Sequence, residues 1–278
     1  VEEYLVGILQ KFVSYGVDGF RFDVGTRIPA SFYALARKTL GDDIIFLSES
    51  VDQERINAFR QKGFTARSNG ELASGGRNLF YHYNSHRYLL NYLEDFDPAE
   101  LQIYKCRVNL ESASIPANTS IVRAIENHDR KRIASYTDSK QIALNVLAYS
   151  FFTKGPSFVY RDEENGQKHT PSLFDKDTVE WANDKETYEL YKKLVDLKHR
   201  EKNKELLQTI LDQERTTSIK ATNGYKDGKE EIGLFSLNPA GVSVPVEQGK
   251  YKDLISNKEI VSEGRVFVTD PRILVKED

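Results

Sequence analysis

Three short apolar runs in this chain each end on a carboxylate, and that recurrence limits the fold more than any other feature. They are Val17-Asp18-Gly19-Phe20-Arg21-Phe22-Asp23-Val24, then Ile44-Ile45-Phe46-Leu47-Ser48-Glu49, then Ile121-Val122-Arg123-Ala124-Ile125-Glu126 leading into Asn127-His128-Asp129. Strand side chains alternate between faces, so Arg21 and Asp23 point one way while Phe20, Phe22 and Val24 point the other. An arginine beside a carboxylate keeps it ionised and fixes its orientation. Helix-patterned segments flank the runs. Leu5, Ile8, Leu9 and Phe12 sit at helical spacing and Gly16 stops them. Pro29 opens a segment that buries Phe32, Leu35 and Ala36 and closes at Gly41. Ser50 and Gln53 form a capping box for a helix through Ile56 and Phe59 that stops near Gly63. Strands alternating with helices at this spacing read as parallel β/α units.

Gly19-Phe20-Arg21-Phe22-Asp23, Phe46-Leu47-Ser48-Glu49 and Glu126-Asn127-His128-Asp129, in this order, resemble three motifs of the alpha-amylase family of glycoside hydrolases, family 13. The resemblance implies an α/β fold, a (β/α)8 TIM barrel of which about strands 4 to 8 are visible, followed by a small antiparallel β-sandwich domain. It divides the chain into 1–204, the C-terminal portion of the catalytic barrel, and 205–278, the all-β domain. It also implies roles: Asp23 as nucleophile, Glu49 as acid/base, and Asp129 as a third carboxylate that grips sugar hydroxyls. Arg21, Asn127 and His128 are implied as substrate-binding residues. Thr26 and Arg27 stand where many members carry a Lys-His pair that contacts the acceptor sugar, so Arg27 is expected to influence product distribution. The family's earlier Asp and Asn-His motif has no counterpart. Its strands would precede Val1, which makes the missing N-terminal barrel half an expected structural partner. The 278 residues alone are therefore expected to be inactive, with unpaired parallel edges.

The remaining segments fill in this frame. Phe64-Thr65-Ala66-Arg67 reads as a short strand, and 68–120 as a long interruption. That interruption holds Phe80-Tyr81-His82-Tyr83 and a helix carrying Tyr88, Leu89, Tyr92, Leu93 and Phe96. His82 and His86 have the spacing of metal ligands on a helix face, but no third ligand accompanies them, and no metal site is expected. An apolar helix over 139–154 precedes a buried strand, Pro156-Ser157-Phe158-Val159-Tyr160. The polar loop 161–177 carries Asp162, Glu163, Glu164 and His169, acids suited to sugar hydroxyls or calcium but more simply a solvated loop. An amphipathic outer helix follows near 185–203, then short alternating strands at 216–223, 230–238, 242–246, 251–256 and 264–270.

Composition excludes more than it assigns. With 39% hydrophobic residues, 29% charged and net charge −3, the chain has a globular balance and no electrostatic reason to bind nucleic acid or an acidic membrane. No run reaches the length of a membrane span. The lone Cys106 excludes an internal disulfide and leaves the compartment open between cytoplasmic and secreted. No cofactor is implied beyond the calcium that some family members carry, whose ligands are not identifiable here. The expected partner is an alpha-linked oligosaccharide or polysaccharide. Three readings follow: a retaining alpha-glycosidase, a transglycosylase of the same mechanism (trehalose or sucrose type), and a non-catalytic carbohydrate-binding or assembly relative. A binding-only relative has no reason to keep all three acids. On the residues alone, Arg21 and Asp23 also read as an ion pair ending a buried strand, and Asn127-His128-Asp129 as a capping cluster.

Overall fold

A computed structural model describes residues 1–49, 51–73, 76–116, 119–200 and 206–277. The chain forms two compact units: Val1–Ser85 with Ala113–Val122, and His86–Ser112 with Arg123 onward.

The first unit is a parallel sheet with helices on one face. Its strands are β1 (Gly19–Phe22), β2 (Ile45–Ser48), β3 (Arg77–Tyr81) and β4 (Thr119–Val122), in the spatial order β1-β2-β3-β4. Phe22, Ser48, Phe80 and Ile121 share one row of the register. One residue further along, at the C-terminal ends, come Asp23, Glu49, Tyr81 and Val122. Helices α1 (Glu2–Ser14) and α2 (Ala30–Leu40) supply Val6, Phe32, Tyr33 and Ala36 to a core completed by Phe22, Phe46, Phe80 and Ile121. The Phe22 ring meets those of Phe32, Tyr33 and Phe46 edge-on at 5.1–5.9 Å, a favoured aromatic geometry. The expected ends of α2 hold, with Pro29 before the helix and Gly41 after it at φ 88°.

Two expectations change here. Residues 64–67 form no strand. Phe64 is half exposed, the Arg67 N–H donates to Thr26 O, and Arg60 Nε donates to Ala66 O, so isolated bonds hold this stretch as a loop. The third strand is instead Arg77–Tyr81, inside the presumed interruption, because it has a hydrogen-bonding neighbour on both sides. The expected Ser50 cap lies outside the described residues. Helix α3 (Gln53–Gln61) is capped by Asp52, whose carboxylate accepts from the Arg55 N–H at 2.9 Å. Helix α4 (Asn69–Leu72) opens on a Ser68–Glu71 capping box.

The second unit contains α5 (Tyr83–Asp95) and α6 (Pro98–Ser114) for most of their lengths, then α7 (Ile133–Tyr136), α8 (Lys140–Phe152) and α9 (Lys185–Arg200). Pro156–Tyr160 forms only a single parallel bridge, Ser157 with Arg123, where a full strand was expected. The ladder stops there because the Tyr160 N–H donates to the Glu163 carboxylate and its C=O accepts from the Glu163 N–H, turning the chain into a 3-10 turn at Glu163–Asn165. The all-β part has a six-stranded antiparallel sheet of β5 (Leu206–Leu211), β6 (Ser218–Tyr225), β7 (Glu230–Ser236), β9 (Gly249–Asp253), β10 (Glu259–Ser262) and β12 (Arg272–Lys276). A two-stranded sheet pairs β8 (Val242–Pro245) with β11 (Arg265–Val268). β5, β10 and β12 were not anticipated. Leu206–Leu211 lacks strict alternation because its register shifts between Leu206 and Gln208, and Arg272–Lys276 because the adjacent Ile273 and Leu274 are both buried.

Leu234, Val244, Tyr251, Val268 and Leu274 pack together in this part, while Ile219, Ala221, Phe235 and Ile273 join the apolar side chains of α8 and α9. Asn145 of α8 accepts from the Ser236 N–H and donates to Thr269 O, so a buried amide ties the helix to the strands. The expected 204/205 division falls on residues outside the described ones.

The parallel pairing needs close approach at Gly19, where an added Cβ would lie 2.6 Å from the Ile45 carbonyl oxygen. Because that obstacle is backbone, Gly19→Ala is expected to destabilise the protein by about 1–3 kcal/mol in denaturant unfolding. An unchanged midpoint would mean β1 and β2 lie further apart.

Candidate active site

One guanidinium gathers the first cluster. Arg21 Nη1 donates to Asp23 Oδ1 at 2.6 Å, and Nη2 lies 3.2 Å from Glu49 Oε2. The parallel register brings the ends of β1 and β2 side by side, so one side chain spans both. Burial works against the Arg21 charge, but the Asp23 hydrogen bond, the field of Glu49 and a hydrogen bond with Tyr81 outweigh it and raise its pKa above the ordinary value. The Asp23 side chain is 73% exposed and that of Glu49 only 12%. One carboxylate is thus open to a ligand and the other sheltered.

The loop after Asp23 completes the geometry. Val24 has φ 42° and ψ 42°, the left-handed region, which for a β-branched residue costs roughly 1–2 kcal/mol. In that conformation its N–H donates to Glu49 Oε2 at 2.8 Å. Gly25 follows because a Cβ there would meet the Tyr33 hydroxyl at 2.7 Å. Thr26 is buried, and its Oγ1 accepts from the Val51 N–H. Among the described residues, the other carboxylate oxygens, Asp23 Oδ2 and Glu49 Oε1, receive no hydrogen bond. Each acid therefore has one anchored oxygen and one left for chemistry. The Arg27 guanidinium stacks over Phe64 at 4.5 Å and Phe59 at 5.2 Å, a cation–π arrangement that commits its face to the loop. Tyr81, which sequence reasoning placed in an interruption, belongs to this cluster. Its only sequence signal was the apolar Leu79-Phe80 pair before it.

The second unit holds Asn127, His128 and Asp129. The Asp129 N–H donates to Asn127 Oδ1 at 2.9 Å, and Asp129 Oδ2 lies 3.2 Å from His128 Nε2. Asn127 is buried, while the His128 and Asp129 side chains are about 40% exposed (43% and 40%). Glu126 anchors this turn from below. Its oxygens accept from Arg132 Nη1 and the Ile133 N–H, both at 2.7 Å. Arg132 is itself buried, lies over the Tyr160 ring and donates to the Arg161 and His169 carbonyls.

Asp162 and Glu163, expected in a solvated loop, are buried. Burial disfavours the Asp162 charge, but donors from Ala182, Asn165 and Gln167 outweigh it and hold its pKa below the ordinary value. Both Asp162 oxygens thus accept from protein donors. Burial first, then the field of Glu126, push Glu163 well above the usual carboxylate range. Among the described residues, no group of three or more His, Cys, Asp or Glu is placed to hold a metal. His82 Nδ1 pairs with Val122 O and His86 Nε2 with Ile125 O, so each imidazole serves the fold. Burial, helped by Arg130, pushes His86 down to about 3, so its ring stays neutral.

No family model matches the chain. It is 22% identical over 182 residues to Alpha-amylase 2 of Schwanniomyces occidentalis, covering 66% of this chain and 33% of that protein. Against the crystal structure of an alpha-amylase from Lactobacillus plantarum the TM-score is 0.86 at 26% identity, over 100% of this chain and 66% of that one. The chain resembles alpha-amylases in fold over its whole length. The alpha-amylase of Geobacillus thermoleovorans, solved with acarbose, shares the fold at a TM-score of 0.77 and 13% identity, over 100% of this chain and 64% of that one. The chain thus spans a third of the curated relative's length and about two thirds of the solved alpha-amylases'. Its parallel sheet and antiparallel sheets correspond to the C-terminal part of an alpha-amylase, a partial barrel followed by a β domain.

Two measurements test this geometry. Val24→Asn keeps the N–H and suits a left-handed φ, so it is expected to raise stability by up to about 1 kcal/mol. A loss of stability would contradict the strain. Because the Glu163 pKa is raised on folding, its contribution is fully present below the ordinary carboxylate pKa and is lost as pH rises through the folded value. Glu163→Gln can still accept from the Tyr160 N–H and donate to the Tyr191 hydroxyl. Its unfolding free energy should therefore fall less steeply with rising pH than that of wild type, by up to about 1.4 kcal/mol per pH unit. Parallel pH profiles would show that Glu163 is not protonated on folding.

Proposed function

We propose that the chain carries the nucleophile, the acid/base and a third carboxylate of a retaining glycoside hydrolase acting on alpha-linked glucans. The observation that carries this reading is the single Arg21 guanidinium spanning Asp23 and Glu49, each with one oxygen that accepts no hydrogen bond among the described residues. Retention needs one carboxylate that is ionised and reachable and a second that delivers a proton. Asp23, ion-paired and exposed, suits attack on the anomeric carbon through Oδ2. Glu49, sheltered and held among the described residues through Oε2, suits proton delivery from Oε1 to the leaving oxygen as the glycosidic bond breaks. The resulting glycosyl ester on Asp23 is then opened by water. The Glu49 carboxylate takes the water proton as the oxygen bonds to the anomeric carbon, and Asp23 leaves as carboxylate. Asp129 and His128, half exposed on a turn fixed by Glu126 and Arg132, are assigned to sugar hydroxyls. The substrate class is supported by the acarbose bound to the Geobacillus thermoleovorans enzyme. Arg27 is assigned to the acceptor side, with the edge of its stacked guanidinium as the donor surface.

The test is to incubate the complete protein with maltooligosaccharides and follow the anomer first released by NMR. The expected product keeps the alpha configuration. Asp23→Asn, Glu49→Gln and Asp129→Asn should each lower turnover by roughly three orders of magnitude or more while the fold persists. An inverted product, or near-wild-type turnover of Glu49→Gln on a substrate with a poor leaving group, would overturn the assignment.

A further inference from the structure

Glu49 is hydrogen-bonded at its backbone as well as its side chain, by the segment that carries Asp23. Its N–H donates to Phe22 O at 3.0 Å, extending the β1–β2 ladder one step past Phe22 and Ser48. Its C=O accepts from the Thr26 N–H at 3.4 Å, and its Oε2 from the Val24 N–H at 2.8 Å. At the left-handed Val24 the chain turns out of the ladder, and a side chain takes over as acceptor. The Val51 N–H donates to Thr26 Oγ1 at 3.1 Å. Thr26 is fully buried, and its own C=O accepts from the Arg67 N–H at 3.0 Å. One residue thus grips the chain at Glu49 with its backbone and at Val51 with its hydroxyl.

We infer that Thr26 is a positioning residue for Glu49, whose buried hydroxyl pins the end of β2 and thereby aims the free Glu49 Oε1. The hydroxyl suits this task because a β-branched side chain is stiff at χ1 and, once buried, holds its oxygen in one place. Without that oxygen the Val51 N–H has to find another acceptor, and the chain it belongs to moves with it. The 3.4 Å bond from the Thr26 N–H is too long to hold the strand end by itself. Glu49 Oε2 is tethered to the Val24 N–H, so a shift of the Glu49 backbone swings Oε1 about that tether. Asp23 lies before the turn and is held by Arg21 at 2.6 Å. The loss therefore falls on proton delivery rather than on nucleophilic attack. Misplacing a reacting group by about an ångström is enough to cost roughly two orders of magnitude in rate.

This inference rests on the proposed hydrolase reading, and its test separates the two. In the complete protein, Thr26→Val replaces the hydroxyl by a methyl group, Thr26→Ala removes it without added bulk, and Thr26→Ser keeps it. Two substrates are compared by kcat/KM, which covers the steps up to formation of the glycosyl ester. Maltooligosaccharides have a poor leaving group that needs a proton, whereas a maltosyl fluoride needs little help. Thr26→Val and Thr26→Ala are expected to lose about tenfold or more on maltooligosaccharides and less than about threefold on the fluoride. Thr26→Ser should stay within about threefold of wild type on both, because the acceptor remains. In a Glu49→Gln background, Thr26→Val should cause no further loss on maltooligosaccharides. Equal losses on the two substrates, additive losses in the double variant, or wild-type rates would overturn the inference. So would failure of both Thr26→Val and Thr26→Ala to fold, since Thr26 would then hold the fold rather than the acid. A crystal structure of either variant gives a reading that needs no turnover. The Glu49 carboxylate should have shifted relative to Asp23, and an unmoved Glu49 would overturn the inference even if the protein cleaved no glucan. Absence of glucan cleavage by wild type would instead count against the hydrolase reading.

Discussion

The structure of this site depends on one cation shared by two carboxylates. Asp23 and Glu49 approach each other because parallel pairing brings neighbouring strand ends to one rim, and two like charges brought together need compensation. Arg21 supplies it, and its planar fork does so with direction as well as charge. Other local features follow from keeping that arrangement. Val24 adopts a strained left-handed conformation and turns its N–H toward Glu49, and Gly25 leaves room for Tyr33. Strain at the residue after an acid is stored where the surrounding contacts over-determine it.

The second unit solves a related problem by a different route. There the exposed pair His128 and Asp129 stands on a turn whose base is Glu126, buried and satisfied by Arg132 and a backbone N–H. Glu163 lies near enough to Glu126 for their charges to interact, and one guanidinium does not neutralise both. The outcome is a carboxyl that favours its protonated form, hydrogen-bonded to Tyr160 and Tyr191. Breaking such a buried network by removing one partner is costly, which is why it serves as a rigid base for an exposed turn.

Much of this was legible in the sequence because the acids end apolar runs. β1 and β2 are mostly apolar up to Asp23 and Glu49, and the arginine two residues before Asp23 fixes the face. β3 was hidden because Arg77–Tyr81 sits among glycine, serine and asparagine, and its strand character comes from neighbours on both sides. Pro156–Tyr160 misled in the opposite sense: it is apolar enough for a strand, yet a side-chain carboxylate three residues on captures its backbone. The burial of Asp162 and Glu163 was invisible for the same reason that β3 was. A run of acids in a polar loop looks solvated until the tertiary donors that hold it are known.

In the proposed mechanism Asp23 supplies the oxygen that bonds to sugar, with Arg21 and Glu49 arranged around it. A fluorinated glycosyl fluoride, which slows breakdown of a glycosyl ester more than its formation, tests this directly in the complete protein. Digestion and mass spectrometry should find one glycosyl group per chain, on the peptide that contains Asp23 and on that side chain. Labelling at Glu49, or full turnover of the reagent with no ester on any carboxylate, would contradict it.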